Sequence, residues 1–210
     1  MKTSSIITIG RQCGSGGREI GKKLSEHYGI PFYDKELLKE AAKKSGFCEE
    51  VFESFDEKPT KSFLYSIVMD PYSFGYHSNN FDMPLNHQVF LAAFDTIKSI
   101  AEKGPCIFVG RCADYALSDF NNCVNLFIHA PLDFRSKRIA EEKGITIDQA
   151  SGFINKKDKQ RASYYNYYST KKWGDMKSYD FTIDSSVLGI DKTAEFIESY
   201  ITLFEKKISV

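Results

Sequence analysis

The chain lacks a surplus of charge of either sign. Its 28 Lys and Arg residues equal its 28 Asp and Glu residues over 210 positions. A duplex-binding protein normally carries a basic excess that neutralises phosphates, so nucleic acid is not the expected partner. No uncharged apolar run approaches the roughly 20 residues of a membrane-spanning helix. The apolar stretch after Met1 ends at Arg11, too short for a signal-peptide core. The five cysteines (Cys13, Cys48, Cys106, Cys112, Cys123) are odd in number and form no C-x-x-C pair. That excludes a disulfide framework and a zinc knuckle, and no metal site is expected. No internal period of 20–50 residues recurs, which removes solenoids. A reduced, cytoplasmic protein without a membrane partner is the expectation, and the oligomeric state stays open.

What remains is ordinary globular composition, with 42% apolar and 27% charged residues. The length fits one domain, at roughly 150 residues per domain, with room for a moving part. Ile6 to Ile9 reads as a strand buried on both faces. Gly10, Gly14, Gly16 and Gly17 follow at once, then an amphipathic helix from Glu19 to Tyr28 with Ile20, Leu24 and Tyr28 on one stripe. Ile30 to Tyr33 is a second strand ending at Asp34. Helices are expected at 35–44, 49–57 and 88–102, with a loop-like stretch at 71–84. Cys106 to Val109 and Val124 to His129 read as strands, 131–143 and 145–168 as helices. The last strand is expected at 179–183 and the last helix at 192–206. Strands alternate with helices, so the fold class is α/β: a three-layer α/β/α sandwich around about five parallel strands. Ligands in such sheets sit beyond the carboxyl ends of the strands. Three turns lie there: Gly10 to Arg18, Asp34, and Gly110 to Asp114.

The first turn carries the strongest signal. Glycines between a buried strand and a helix let backbone amides converge, and the helix N-terminus adds about half a positive charge. Arg11 and Arg18 add guanidinium forks suited to phosphate oxygens. The Walker pattern G-x-x-x-x-G-K-[ST] is not matched, because no lysine follows and the helix opens Gly17-Arg18-Glu19. Gly10, Gly14 and Gly16 fit G-x-x-x-G-x-G instead, and Tyr167 with Lys171 gives a Tyr-x-x-x-Lys spacing. These two features define the rival reading, a short-chain-dehydrogenase-like NAD(P) oxidoreductase. A second rival is a nucleotide- or phosphate-binding module without catalysis. Residues 156 to 177 are basic and rich in tyrosine. They read as a phosphate-closing lid, a solvated helix whose tyrosines pack on the sheet, or a stacking surface for single-stranded RNA. Cys13, inside the glycine turn, is expected to have a lowered pKa from the helix N-terminus.

Taken in order, several segments resemble the cytidylate kinase-like family of P-loop nucleoside monophosphate kinases. Ile7 to Ile20 resembles its altered phosphate loop. Pro31-Phe32-Tyr33-Asp34 is similar to the end of its second strand, and Ile107 to Tyr115 to its Gly-Arg-Asp segment. Leu126 to Pro131, with Arg135 and Arg138, resembles the approach to the lid. Asp158 to Tyr165 is similar to the lid, and Tyr179 to Asp184 to the terminal strand. The resemblance spans nearly the whole chain. It implies a single P-loop kinase-like domain over 1–210, with an acceptor-binding helical region at 35–105 and a lid at 150–178. It also implies transfer of the γ-phosphoryl of ATP, with Mg²⁺, to a nucleoside monophosphate or similar small acceptor. On this reading Arg18, Arg111, Arg161 and Asp34 are the catalytic candidates. Gly10, Arg11, Gly14, Ser15, Gly16, Gly17, Asp114, Lys157 and Lys159 are the phosphate- or nucleotide-binding candidates. The absent Walker lysine and its following Ser or Thr leave charge neutralisation to arginine, and Mg²⁺ without its usual hydroxyl.

Overall fold

A computed structural model describes residues 2–45 and 85–208. The helix expected at 49–57 and the loop at 71–84 lie outside the described residues, as does Cys48. The chain begins with β1 (Ile6–Arg11), α1 (Gly17–Tyr28), β2 (Phe32–Tyr33) and α2 (Glu36–Ser45). After residue 84 come α3 (Leu85–Ala101), β3 (Ile107–Val109), the short α4 (Ala113–Ala116) and β4 (Cys123–His129). Then follow α5 (Leu132–Lys143), α6 (Ile147–Tyr168), a 3₁₀ turn at Met176–Ser178, β5 (Phe181–Asp184) and α7 (Ser185–Ile208).

The five strands form one sheet in the order β2-β3-β1-β4-β5. Every pairing is parallel. β1 is central, pairing Ile7 with Ile107 on one side and with Val124 on the other. Its neighbours stand on opposite sides, so the chain reverses its winding at β1. This is where an open α/β sheet leaves a crevice for ligands.

Alternation along the central strands divides the core. Ile7 and Ile9, with Val124, Leu126 and Ile128, meet Ile20 and Leu24 of α1 and Ile197 and Ile201 of α7. Ile6 and Phe108 face the other layer, where Leu37 of α2 and Ile97 and Ile100 of α3 close over them. Phe127 faces that layer too and packs with Tyr164, Tyr165 and Tyr168 of α6. The tyrosine-rich stretch is therefore largely a core face.

Local signals set several boundaries. Thr146 and Gln149 form a reciprocal capping box that starts α6, satisfying amides a helix start would leave open. α7 begins earlier than its periodicity suggests. It carries a break at Gly189 (φ 73°, ψ 175°), which separates its first turn from the amphipathic run the sequence shows.

Ile197 is wholly buried between α7 and the sheet. Ile197→Ala is expected to lower stability by about 2–5 kcal/mol through lost burial and an unfilled cavity. Urea unfolding at neutral pH checks this; a loss below about 1 kcal/mol would show that α7 contributes little packing there.

Candidate active site

The turn after β1 is tightened by its own side chains. The Ser15 hydroxyl donates to the Gln12 carbonyl (2.9 Å), and the Ser15 carbonyl accepts from the Ser185 hydroxyl (2.6 Å). Gly14 and Gly16 have φ of 80° and 78°, a region that L side chains enter at a cost. Space is also closed there: a Cβ at Gly16 would stand 2.0 Å from Ile190 Cδ1. α1 then starts at Gly17 with no side-chain cap. Among the described residues, nothing accepts from the amides of Gly14, Gly16 and Gly17. These amides are orphan donors at the positive end of a helix dipole, the arrangement that receives a phosphate.

A cleft of about 600 Å³ opens over this turn. Arg11, Arg18, Arg111 and Arg161 all line it, each brought from a different part of the chain. Lys35, Arg138, Lys143 and Lys157 add further positive charge, and among the described residues Glu19, Asp34 and Glu142 stand against them. Of the residues expected from sequence, Gly14, Gly16 and Gly17 also border this cleft. Gly10, Asp114 and Lys159 do not. Gly10 and Asp114 line a much smaller cavity of about 20 Å³ behind it, which Arg11, Arg111 and Arg161 also reach. Asp114 accepts from the Tyr165 hydroxyl (2.6 Å) and pairs with Lys171 (3.3 Å). Lys159 is exposed outside the cleft. The buried Ser15 hydroxyl is spent on the loop backbone.

Asp34, directly after β2, gathers two arginines at the edge of the cleft. It accepts from Arg18 Nε at 2.6 Å and from Arg111 Nη1. Arg111 reaches it through an unusual backbone. Gly110, Arg111 and Cys112 all have positive φ, a left-handed turn that costs about 1–2 kcal/mol for each non-glycine residue. The turn lets Arg111 fold back to donate to the Val109 carbonyl at 2.7 Å as well. Burial by itself would raise the Asp34 carboxyl. The Arg111 and Arg11 guanidiniums and the hydrogen bonds from Arg111 and Arg18 outweigh it and hold the group below the usual carboxylate range.

Three residues named only as parts of resembling segments prove central. Asp158 of α6 accepts the Cys13 amide at 2.7 Å and pairs with Arg135 of α5 at 2.8 Å. Arg135 also donates to the Cys13 carbonyl (3.1 Å) and the Ala130 carbonyl (2.7 Å). Arg138, three residues on, donates to the Gly14 carbonyl (3.2 Å) and pairs with Glu19 (2.6 Å). The i, i+3 spacing of the two arginines, which puts both on one helix face, was the available signal. Arg161 donates to the Arg11 carbonyl at 3.3 Å, so α6 grips the glycine turn in two places.

Two expectations change. Cys13 is buried with Ile139, Ala150 and Ile154. Burial pushes its thiol up, and Asp158 adds to the rise against the pull of Arg161, Arg135 and Arg11. It is therefore not the activated thiol its position suggested. The Tyr167/Lys171 pair also fails as a helical couple: Tyr167 lies in α6, which ends at Tyr168, while Lys171 lies beyond it against Asp114.

The donor set for a metal is thin. No group of three or more His, Cys, Asp or Glu side chains gathers among the described residues. Asp34, Asp114 and Asp158 are each held by cationic or hydroxyl partners. The cleft fits a polyphosphate; a Mg²⁺ ion arriving with it would be held by phosphate oxygens and water rather than by a preformed protein cage.

A central β1 between β3 and β4, followed by an amide-rich glycine turn, is the P-loop kinase fold. The solved structures agree. A shikimate kinase from Acinetobacter baumannii in complex with shikimate shares that fold at 13% identity and a TM-score of 0.50, covering 96% of this chain and 94% of its own. An uncharacterized protein from Eubacterium ventriosum is more similar, at 32% identity and a TM-score of 0.71, covering 94% of this chain and 98% of its own. The pattern of the cytidylate kinase-like family matches residues 6–187, and the chain belongs to that family. Among its relatives, the cytidylate kinase of Methanopyrus kandleri is 24% identical over 94% of this chain and 93% of its own length. That of Pyrococcus horikoshii is 25% identical over 88% and 82%. Family and fold together support nucleotide kinase activity.

Asp34→Asn should lower stability by about 3–5 kcal/mol, since Arg111, with a side chain 3% exposed, would keep a buried charge without its carboxylate. A carboxyl held low contributes stability above its unfolded pKa, near pH 4, and loses it as pH falls through the lower folded value. Urea unfolding from pH 7 to pH 2 should show a constant gap between the two proteins down to about pH 4 and a shrinking gap below it. A pH-independent gap would contradict the ion pair.

Proposed function

We propose that the chain transfers the γ-phosphoryl group of ATP, carried with Mg²⁺, to a nucleoside monophosphate or a similar small phosphorylated acceptor. The observation that carries this reading is the convergence of Arg11, Arg18, Arg111 and Arg161 on one cleft whose floor is a turn of orphan amides. Phosphoryl transfer asks a protein for alignment and charge neutralisation rather than for a nucleophile of its own. The cleft supplies both, and the one thiol in its described lining, Cys13, is buried and raised.

In this reading the amides from Gly14 to Gly17 cradle the donor phosphates. Arg111, fixed by Asp34, faces the acceptor phosphate. Arg161 and Lys157, both on α6, close over the transferred group and stabilise charge as it develops. Residues 150–178 act as the lid and 35–105 as the acceptor region, although 46–84 lie outside the described residues. When bound, Mg²⁺ would supply further neutralisation of the donor's charge. The protein's share is to orient both phosphate chains and exclude water. The kinase reading is favoured over the dehydrogenase one because Tyr167 and Lys171 make no catalytic pair, while every cleft cation suits a polyanion.

Purified protein with ATP, Mg²⁺ and a panel of nucleoside monophosphates should show acceptor-dependent ADP release for at least one member. Thermal unfolding should show stabilisation by ATP of about 2.7 kcal/mol at 100 times Kd, with none from NADPH. ATP binding without acceptor-dependent ADP release across the panel would instead favour a binding module. Stabilisation by NADPH alone would defeat the reading.

A further inference from the structure

We propose that Arg11 supplies the phosphate-contacting cation that ordinary phosphate loops carry on the first turn of the following helix, and that Gly17 is its required counterpart. The inference deepens the phosphoryl-transfer reading and rests on it for the nature of the ligand. In the Walker pattern a lysine directly follows the last glycine of the loop. Here Gly16 caps α1 and Gly17 stands at that place.

The residue at 17 cannot carry a side chain while Arg11 is present. A Cβ there would stand 2.7 Å from Arg11 Cβ and 3.3 Å from Cγ. The stem of a lysine at 17 and the stem of Arg11 therefore compete for one volume. Strand alternation explains why Arg11 is there: Ile7 and Ile9 face α1, and Arg11 is the next residue of β1 on that side. Arg11 lines the cleft, its Cβ and Cγ lie against the first turn of α1 at Gly17, and its charge is one of those that lower Asp34. The residue is 8% exposed, so its position is set by packing rather than by solvent.

Arg18, the nearer match to a Walker lysine by sequence, is placed otherwise. Its Nε is 2.6 Å from Asp34, and its side chain is 49% exposed beside the Phe32 ring. It stands at the β2 edge with its charge answered by a carboxylate. On this assignment the cation beneath the first turn of α1 comes from the strand, and the helix carries no side chain at 17, where the Arg11 stem lies. Guanidinium reaches farther than ammonium and can fork two phosphate oxygens, which suits delivery from the more distant strand.

Calorimetric titration of ATP and of inorganic tripolyphosphate separates this assignment from the broader one. Arg11→Met keeps the packed alkyl stem and removes the charge. It should lose modest stability without ligand, because the charge helps hold Asp34 ionised, yet stay folded and bind both ligands roughly tenfold to a hundredfold more weakly, the loss of one charge-assisted contact. The exchange R11G/G17K should regain at least about tenfold over R11G alone, while G17K in the presence of Arg11 should lower both affinity and unfolding temperature. Arg11→Met affinities within about twofold of wild type, or a G17K protein as stable and as tight as wild type, would overturn the assignment. If the exchange variants do not fold, Arg11→Met still decides. Wild-type protein that binds ATP while Arg11→Met binds it equally well ends this inference alone; wild-type protein that binds neither ligand ends the kinase reading with it.

Discussion

The close approach of α1 to β1 is the constraint on which the rest depends. Gly17 and Gly21, one helical turn apart, face the sheet, and a Cβ at either would meet a neighbour within 3.0 Å. Ile20 and Leu24 then reach the core without holding the helix away. That proximity aims the first-turn amides at the end of the sheet and sets the width of the cleft. It also leaves the space that Arg11 enters. A helix standing farther off would still fold, but its positive end would no longer meet the guanidiniums of Arg11 and Arg111 at one point.

Charge is distributed by the same logic. Asp34 takes two arginines, Asp158 takes an arginine and a loop amide, and Asp114 takes a lysine and a tyrosine hydroxyl. Each of these carboxylates thereby avoids the penalty of an unpaired charge, and Asp34 fixes two arginines that line the cleft. The Asp158 contacts join α6 to the glycine turn, so a displacement of this helix moves the floor of the site and not only its roof.

Much of the architecture was legible in the sequence because parallel strands buried on both faces leave short β-branched runs. Ile6 to Ile9, Cys106 to Val109 and Val124 to His129 show this directly. The break at Gly189 was not legible, since a single glycine in a helical stretch does not announce its backbone angles. At the site, the glycine turn, Arg111 and Asp34 could be read from local pattern. The choice between Arg11 and Arg18 could not, because it turns on a collision between residues 11 and 17 across two elements. Asp158 and Arg135 escaped as a pair for a similar reason: they lie 23 positions apart, and only the packing of α5 on α6 brings them together. The burial that raises the Cys13 thiol likewise comes from these two helices, not from its own loop.

Among the described residues the cleft gathers eight cationic side chains and three carboxylates in a chain whose formal charge sums to zero. The described part of the molecule is thus an object with a local excess of positive charge at its mouth. In solution such an object turns in the field of an approaching polyanion and meets it mouth first. Dissolved salt weakens that guidance over distances beyond about 10 Å at 0.1 M, so the speed of capture, more than the grip that follows, is the property most exposed to the ionic surroundings.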